Sequence, residues 1–140
     1  MIAKNDSFAT LLRNHAYSVT RVRQAVFESF NEDRPVSMAE LVKKLPSVDR
    51  ASIYRTVAVF EELGILNRLT TGWKYKLELS DLFSEHHHHV TCNNCGKVTS
   101  FHENQQLENG ITNAGQSVNF KVMSHSLEIR GLCPECQARS

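Results

Sequence analysis

The sequence has almost no excess of either charge: 16 Lys and Arg stand against 15 Asp and Glu, a formal net charge of +1. Overall charge therefore assigns no partner by itself. No apolar run approaches the length of a membrane span, which argues against a membrane partner. The opening residues, Met1-Ile2-Ala3-Lys4-Asn5-Asp6-Ser7, have no apolar signal core, so a cytoplasmic protein is expected. Low-complexity stretches and long internal repeats are absent, and 140 residues suffice for one ordinary domain or two very small ones. There is no H-E-x-x-H or similar pair, so a zinc hydrolase finds no support; neither an enzyme nor a small organic substrate is expected. Nor is there an odd cysteine left over for catalysis.

What is present is paired. All four cysteines fall into two C-x-x-C hooks, Cys92-Asn93-Asn94-Cys95 and Cys133-Pro134-Glu135-Cys136. A C-x-x-C turn brings two sulfurs close enough to share one ion, and a second hook completes a tetrahedron, the ligand set of a structural zinc site. Two disulfides are the alternative, disfavoured in a reducing compartment. Charge is also unevenly distributed. Residues 1–80 carry 12 Lys and Arg against 9 Asp and Glu, and residues 81–140 carry 4 against 6, which suits a polyanion binder in the first part.

Helical spacing predicts helices over residues 6–15 (Phe8, Leu11, Leu12) and 20–30 (Val22, Ala25, Val26, Phe30). Ser37-Met38-Ala39-Glu40 is a capping box that opens a third helix, with Met38, Leu41, Val42 and Leu45 on its apolar face. A fourth starts near Asp49, buries Ile53, Val57, Phe60 and Leu63, and stops at Gly64. A hairpin follows from Ile65 to Thr70, with a turn at Thr71-Gly72. In its second strand Trp73, Tyr75, Leu77 and Leu79 alternate with Lys74, Lys76 and Glu78. Short helices followed by a hairpin are the plan of a winged helix-turn-helix, whose recognition helix enters the major groove. Arg50, Ser52, Tyr54 and Arg55 lie opposite the apolar face of the fourth helix, as phosphate or base contacts. Arg21 and Arg23 start the second helix as further phosphate contacts. An ordinary solvated helix face is the alternative.

The expected fold class is α+β, a winged helix-turn-helix over residues 1–80, a hinge at 81–85 and a small α/β metal-binding module over 86–140. Strands are expected near 87–92, 97–101, 118–123 and 126–132, with a helix near 104–114. Four histidines, His86 to His89, run into the first hook. If that segment is a strand, His86 and His88 share one face while His87 and His89 share the other. Two metal sites then become available, with Glu78, Glu108 and His125 as candidate further ligands; a solvated polar strand is the alternative.

These residues together resemble the ferric uptake regulator (Fur) superfamily of bacterial metal-responsive repressors, along nearly the whole chain and in the family's order. Val19-Thr20-x-x-Arg23 is similar to its N-terminal signature. Ala51-Ser52-Ile53-Tyr54-Arg55-Thr56-Val57 resembles its recognition helix, His86 to Lys97 its first hook, and His125 to Cys136 its C-terminal motif. The resemblance implies a homodimer, joined through the C-terminal modules, on an inverted-repeat DNA operator. By position it implies structural zinc at Cys92, Cys95, Cys133 and Cys136, and a second metal site at His86, His88, Glu108 and His125. A regulatory site for iron(II) or zinc, with manganese(II) also admissible, is implied at Glu78, His87 and His89. Several positions depart from the pattern. Pro35 stands where many relatives have histidine, and Ser18 where a basic residue often reaches the minor groove. Glu78 replaces the cysteine of zinc sensors, and Asn67 lies near an aspartate of some of them. Ser100 occupies the place of the aspartate used by peroxide sensors. The expected function is metal-dependent repression; a metal-buffering or thiol-redox zinc protein without sequence-specific DNA binding is the alternative.

Overall fold

The computed structural model describes residues 2–30, 34–71, 73–102 and 104–139. The chain divides into two compact units, Met1–Ser84 and Glu85–Ser140.

The first unit contains α1 (Ile2–Asn14), α2 (Arg21–Glu28), α3 (Met38–Lys44), α4 (Arg50–Glu62), β1 (Leu66–Thr71) and β2 (Lys74–Leu79). Side-chain caps set where the helices begin. Thr20 accepts the Arg23 N–H, Ser37 the Glu40 N–H and Asp49 the Ser52 N–H, each satisfying an orphan donor of a first turn. Helix α4 ends as the sequence predicts. Gly64 adopts φ +72°, its N–H donates to Glu61, and Ile65 N–H donates back to Phe60. This Schellman closure needs a left-handed residue that glycine adopts without a Cβ clash.

The core of this unit is apolar and aromatic. Phe8 stacks on Phe27 at 4.1 Å and meets Phe60 edge-on at 5.4 Å. Leu12, Val26, Leu41, Ile53, Ile65 and Leu77 are fully buried around them. Each such side chain contributes about 1.5–3 kcal/mol by leaving water. The wing is an antiparallel hairpin that pairs Asn67 with Glu78 and Arg68 with Leu77. Val36 adds a bridge to Leu77 through two backbone hydrogen bonds of 2.8 and 2.7 Å.

Two expectations need adjustment here, and a third falls outside the described residues. Trp73 does not join the apolar side of the wing: it is 88% exposed at the hairpin end, beyond the core, with Lys74 Nζ 5.1 Å from its ring centre. Gly72, in the expected turn, lies outside the described residues. Of the segment expected as a hinge, residues 81–84 belong to the first unit. Phe83 N–H donates to Ser80, and the buried Phe83 ring packs edge-on against Phe27 at 5.1 Å.

The second unit comprises β3 (His87–Cys92), β4 (Val98–His102), α5 (Gln105–Gln116), β5 (Glu128–Gly131) and α6 (Pro134–Arg139). Its sheet has the order β4-β3-β5, with β4 antiparallel and β5 parallel to the central β3. The strand expected over 118–123 does not form. Asn119 takes φ +64°, its N–H donates to Gln116, and Phe120 N–H donates to Gly115. The alternation of Val118, Phe120 and Val122 is thus interrupted by the turn that closes α5.

Candidate metal centres and recognition helix

The first hook is a tight turn at the end of β3. Cys92 N–H donates to Lys97, Gly96 N–H donates back to Cys92, and Gly96 adopts φ +78°. The second hook enters α6, where Gln137 N–H donates to Cys133. All four sulfurs lie within 4.8 Å of one another, and Cys95 Sγ is 3.7 Å from Cys133 Sγ. None of the four cysteines is joined in a disulfide. Sulfurs about 2.3 Å from a tetrahedral zinc stand roughly 3.8 Å apart, so the spacing fits one ion.

Backbone and side-chain amides tune the thiols. Cys133 N–H donates to Cys92 Sγ at 3.4 Å, and Asn94 Nδ2 donates to Cys136 Sγ at 3.3 Å. The N–H groups of Cys95 and Cys133 bring the Cys92 thiol down to about 6, so it is ready as a thiolate ligand. Cys133 is pushed up to about 12. The Cys136 N–H favours its thiolate, but desolvation and the neighbouring Cys136, Glu135 and Cys95 groups outweigh that. A divalent cation held by the four sulfurs would displace the thiol protons.

The histidine tract divides as strand alternation requires. His86 and His88 face α5 and the 118–127 segment. Nε2 of His86 is 3.1 Å from Glu108 Oε1 and 3.2 Å from His125 Nε2. Nε2 of His88 is 2.6 Å from Glu108 Oε1, and Nε2 of His125 is 2.8 Å from Glu108 Oε2. Nitrogen and oxygen donors about 2.0–2.1 Å from a tetrahedral ion stand roughly 3.3 Å apart, so this set also fits a single cation. The hydrogen bond from His88 is the main cause holding the Glu108 carboxyl below its ordinary range, with His86 and His125 adding to it.

His87 and His89 occupy the opposite face of β3, with ring centres 4.8 Å apart and planes at 88°. The β3–β4 register sets Ser100 opposite His89 and His102 opposite His87. Glu78 belongs to the first unit, on the side of β2 shared with Lys74 and Lys76, and is half-buried. His102 is not among the residues that the sequence motifs single out. A signal for it lies in the hook: His102 falls as far beyond Lys97 as His87 falls before Cys92, and the hook pairs those two ends.

In α4, Ile53, Thr56, Val57 and Phe60 are buried, while Arg50, Tyr54 and Arg55 are exposed and Ser52 is half-buried. Arg55 Nη2 donates to Ser52 Oγ at 3.2 Å, and Ser52 Oγ donates to Asp49 at 2.6 Å, so a chain of polar groups lines the start of the helix. Arg21 is exposed at the first position of α2. Arg23 is half-buried and engaged within its own unit. Its Nη1 donates to the Ser18 carbonyl at 2.7 Å, and the guanidinium lies 5.1 Å over Tyr17.

A winged helix with exposed arginine and tyrosine, followed by a unit with a four-cysteine cluster and a separate His–Glu cluster, is the arrangement of a metal-binding DNA regulator. The profile described as the ferric uptake regulator family matches residues 14–130, and the chain belongs to that family. It is a Fur-type transcriptional regulator. It is 32% identical over 133 residues to the peroxide-responsive repressor PerR of Staphylococcus saprophyticus, covering 91% of this chain and 88% of that one. Among solved structures, the ferric uptake regulator of Vibrio cholerae superposes with a TM-score of 0.72 at 29% identity, covering 89% of this chain and 98% of that one. The Helicobacter pylori ferric uptake regulator, whose structure reveals three functional metal binding sites, gives a TM-score of 0.79 at 21% identity. That pairing covers 96% of this chain and 92% of the other, and supports the fold alone. Among the described residues, no helix is long and apolar enough to cross a membrane.

Proposed function

We propose that the protein is a homodimeric, metal-dependent repressor that binds an inverted-repeat operator when iron(II) or zinc occupies a regulatory site of Glu78, His87 and His89. Structural zinc is assigned to Cys92, Cys95, Cys133 and Cys136, and a second ion to His86, His88, Glu108 and His125. The single observation that carries this reading is the division of the histidine tract: one face of β3 converges on Glu108 and His125, leaving His87 and His89 as a separate donor pair.

In this mechanism an ion held by His87 and His89 recruits the wing carboxylate of Glu78 and thereby fixes the two units of a subunit. Only that arrangement sets the paired α4 helices a helical turn of DNA, about 34–36 Å, or a multiple of it apart. Arg50, Ser52, Tyr54 and Arg55 then meet base edges and phosphates, with Arg21 and Arg23 on the flanking backbone. Metal favours DNA because it binds the closed arrangement better, and operator DNA must raise metal affinity by the same factor. A coupling of about 1–3 kcal/mol corresponds to roughly 5- to 150-fold in operator affinity.

Peroxide response, part of the staphylococcal relative's name, is not carried over. The neutral Ser100 stands opposite His89, where the resemblance expects the carboxylate of peroxide sensors. Imidazole-rich donors suit zinc and iron(II), whereas manganese(II) prefers carboxylates. The test is operator binding by metal-stripped protein titrated separately with iron(II), zinc and manganese(II). Affinity rising with one of the first two supports the reading; equal affinity with and without every ion overturns it.

A further inference from the structure

The antiparallel register of β3 and β4 sets His102 directly opposite His87, on the face that also carries His89. Directly opposed side chains start about 4.5–5.5 Å apart at Cβ, within the reach of two imidazoles sharing one ion. His87 and His89 already have ring nitrogens within 4.8 Å of each other. The Nδ1–H of His87 donates to the Glu85 carbonyl at 2.7 Å, which turns its Nε2 into the ligand atom. His102 is exposed and stands outside the His87–His89 cluster, so ligation requires its ring to turn toward that atom. The other residues flanking His89 are poorer donors. Ser100 offers a neutral hydroxyl, and Glu128, opposite His89 on β5, is engaged by Arg130 at 2.7 and 3.1 Å.

We propose that His102 is a ligand of the regulatory ion, completing with His87 and His89 a three-imidazole face contained within the second unit. This rests on the reading of His87 and His89 as the regulatory site, and supplies the ligand that Glu78 and two histidines leave wanting. The ion is captured by the β3–β4 face, and Glu78 closes on it as the fourth donor. Three nitrogens and one carboxylate select borderline cations, zinc or iron(II), over manganese(II).

Cobalt(II) titration of the full-length chain, with zinc retained at the cysteines, tests this through the visible d–d bands of the bound ion. A Glu108→Gln, His125→Ala background removes two of the second site's four donors and takes that site out of the titration. There, His102→Ala is expected to weaken the remaining cobalt equivalent by about tenfold or more, the scale on which metal sites respond even to loss of a supporting group. Its bands should shift, its far-UV circular dichroism should not, and Glu128→Gln should match the background. His87→Ala should lose that equivalent altogether. If His102→Ala matches the background while His87→Ala loses cobalt, the inference fails and the regulatory reading stands. A loss in Glu128→Gln but not in His102→Ala assigns the ligand to β5 and overturns the inference. If neither His87→Ala nor His102→Ala changes cobalt binding, the regulatory reading falls and takes the inference with it.

Discussion

His88 and Glu108, twenty residues apart in the chain, meet at 2.6 Å between Nε2 and Oε1. The contact joins the central strand of the second unit to the first turn of α5, and both side chains are largely withdrawn from water, 3% and 12% exposed. With its proton on Nε2, His88 donates to the carboxylate; without that proton, the same convergence is a pair of metal donors. Buried polar groups are costly unless they are partnered, so the pair holds α5 in place while also preparing a ligand set.

The division of the histidine tract yields the first prediction. His88→Ala, Glu108→Gln and His125→Ala should each lose the same metal equivalent, while His87→Ala and His89→Ala should lose a different one together with metal-activated operator binding. Metal analysis and operator affinity of the single variants decide the matter. Sorting by sequence neighbourhood, with His86 and His87 alike, would contradict the alternation of β3.

Cys95→Ser and Cys136→Ser should release zinc and loosen the second unit. Structural zinc contributes about 10–16 kcal/mol of apparent binding free energy in small zinc-finger peptides, and a larger unit with its own sheet depends on it less completely. Zinc analysis with a thermal melt is the measurement. Retention of one zinc per chain at the thiolates in either variant would exclude the assignment.

Arg55→Ala and Tyr54→Phe should weaken operator binding with thermal stability and metal content nearly unchanged, because both side chains are exposed on α4. A lost base contact costs about 1–3 kcal/mol, whereas a lost phosphate contact lowers affinity on every sequence and flattens the salt slope. Binding isotherms at several salt concentrations separate the two.

Phe60→Ala, on the other face of the same helix, should behave in the opposite way. Phe60 is fully buried against Phe8, and removing a buried aromatic ring costs about 3–5 kcal/mol. Denaturant unfolding should show the loss in the first unit, with DNA binding lost through unfolding. Zinc at the cysteines should be retained, since its ligands all lie in the second unit.

The sequence by itself determined the features governed by local spacing. Thr20, Ser37, Asp49 and Gly64 mark helix ends because a capping oxygen or a left-handed glycine acts within a few residues. Cys92 to Cys95 and Cys133 to Cys136 announce a shared ion because a C-x-x-C turn alone brings two sulfurs together. The two faces of His86 to His89 follow from the pleat of one strand. Glu78, Glu108 and His125 stood as candidate further ligands, and resemblance to a known family assigned each of them to its site.

Tertiary structure decided what depends on distant parts of the chain. Glu108 and His125 reach His86 only because α5 and the segment after it return to the sheet; no local pattern measures that. The alternation over 118–123 looked like a strand, yet the left-handed turn at Asn119 closes α5 there instead. Phe83 sits in a segment read as a hinge, but folds back on Phe27 because an aromatic ring gains more from the core than from water. His102 became visible only through register, since pairing across the first hook, not proximity in sequence, sets it opposite His87. Local chemistry is written residue by residue, whereas a ligand set is closed by the fold that brings its distant members within a few ångströms.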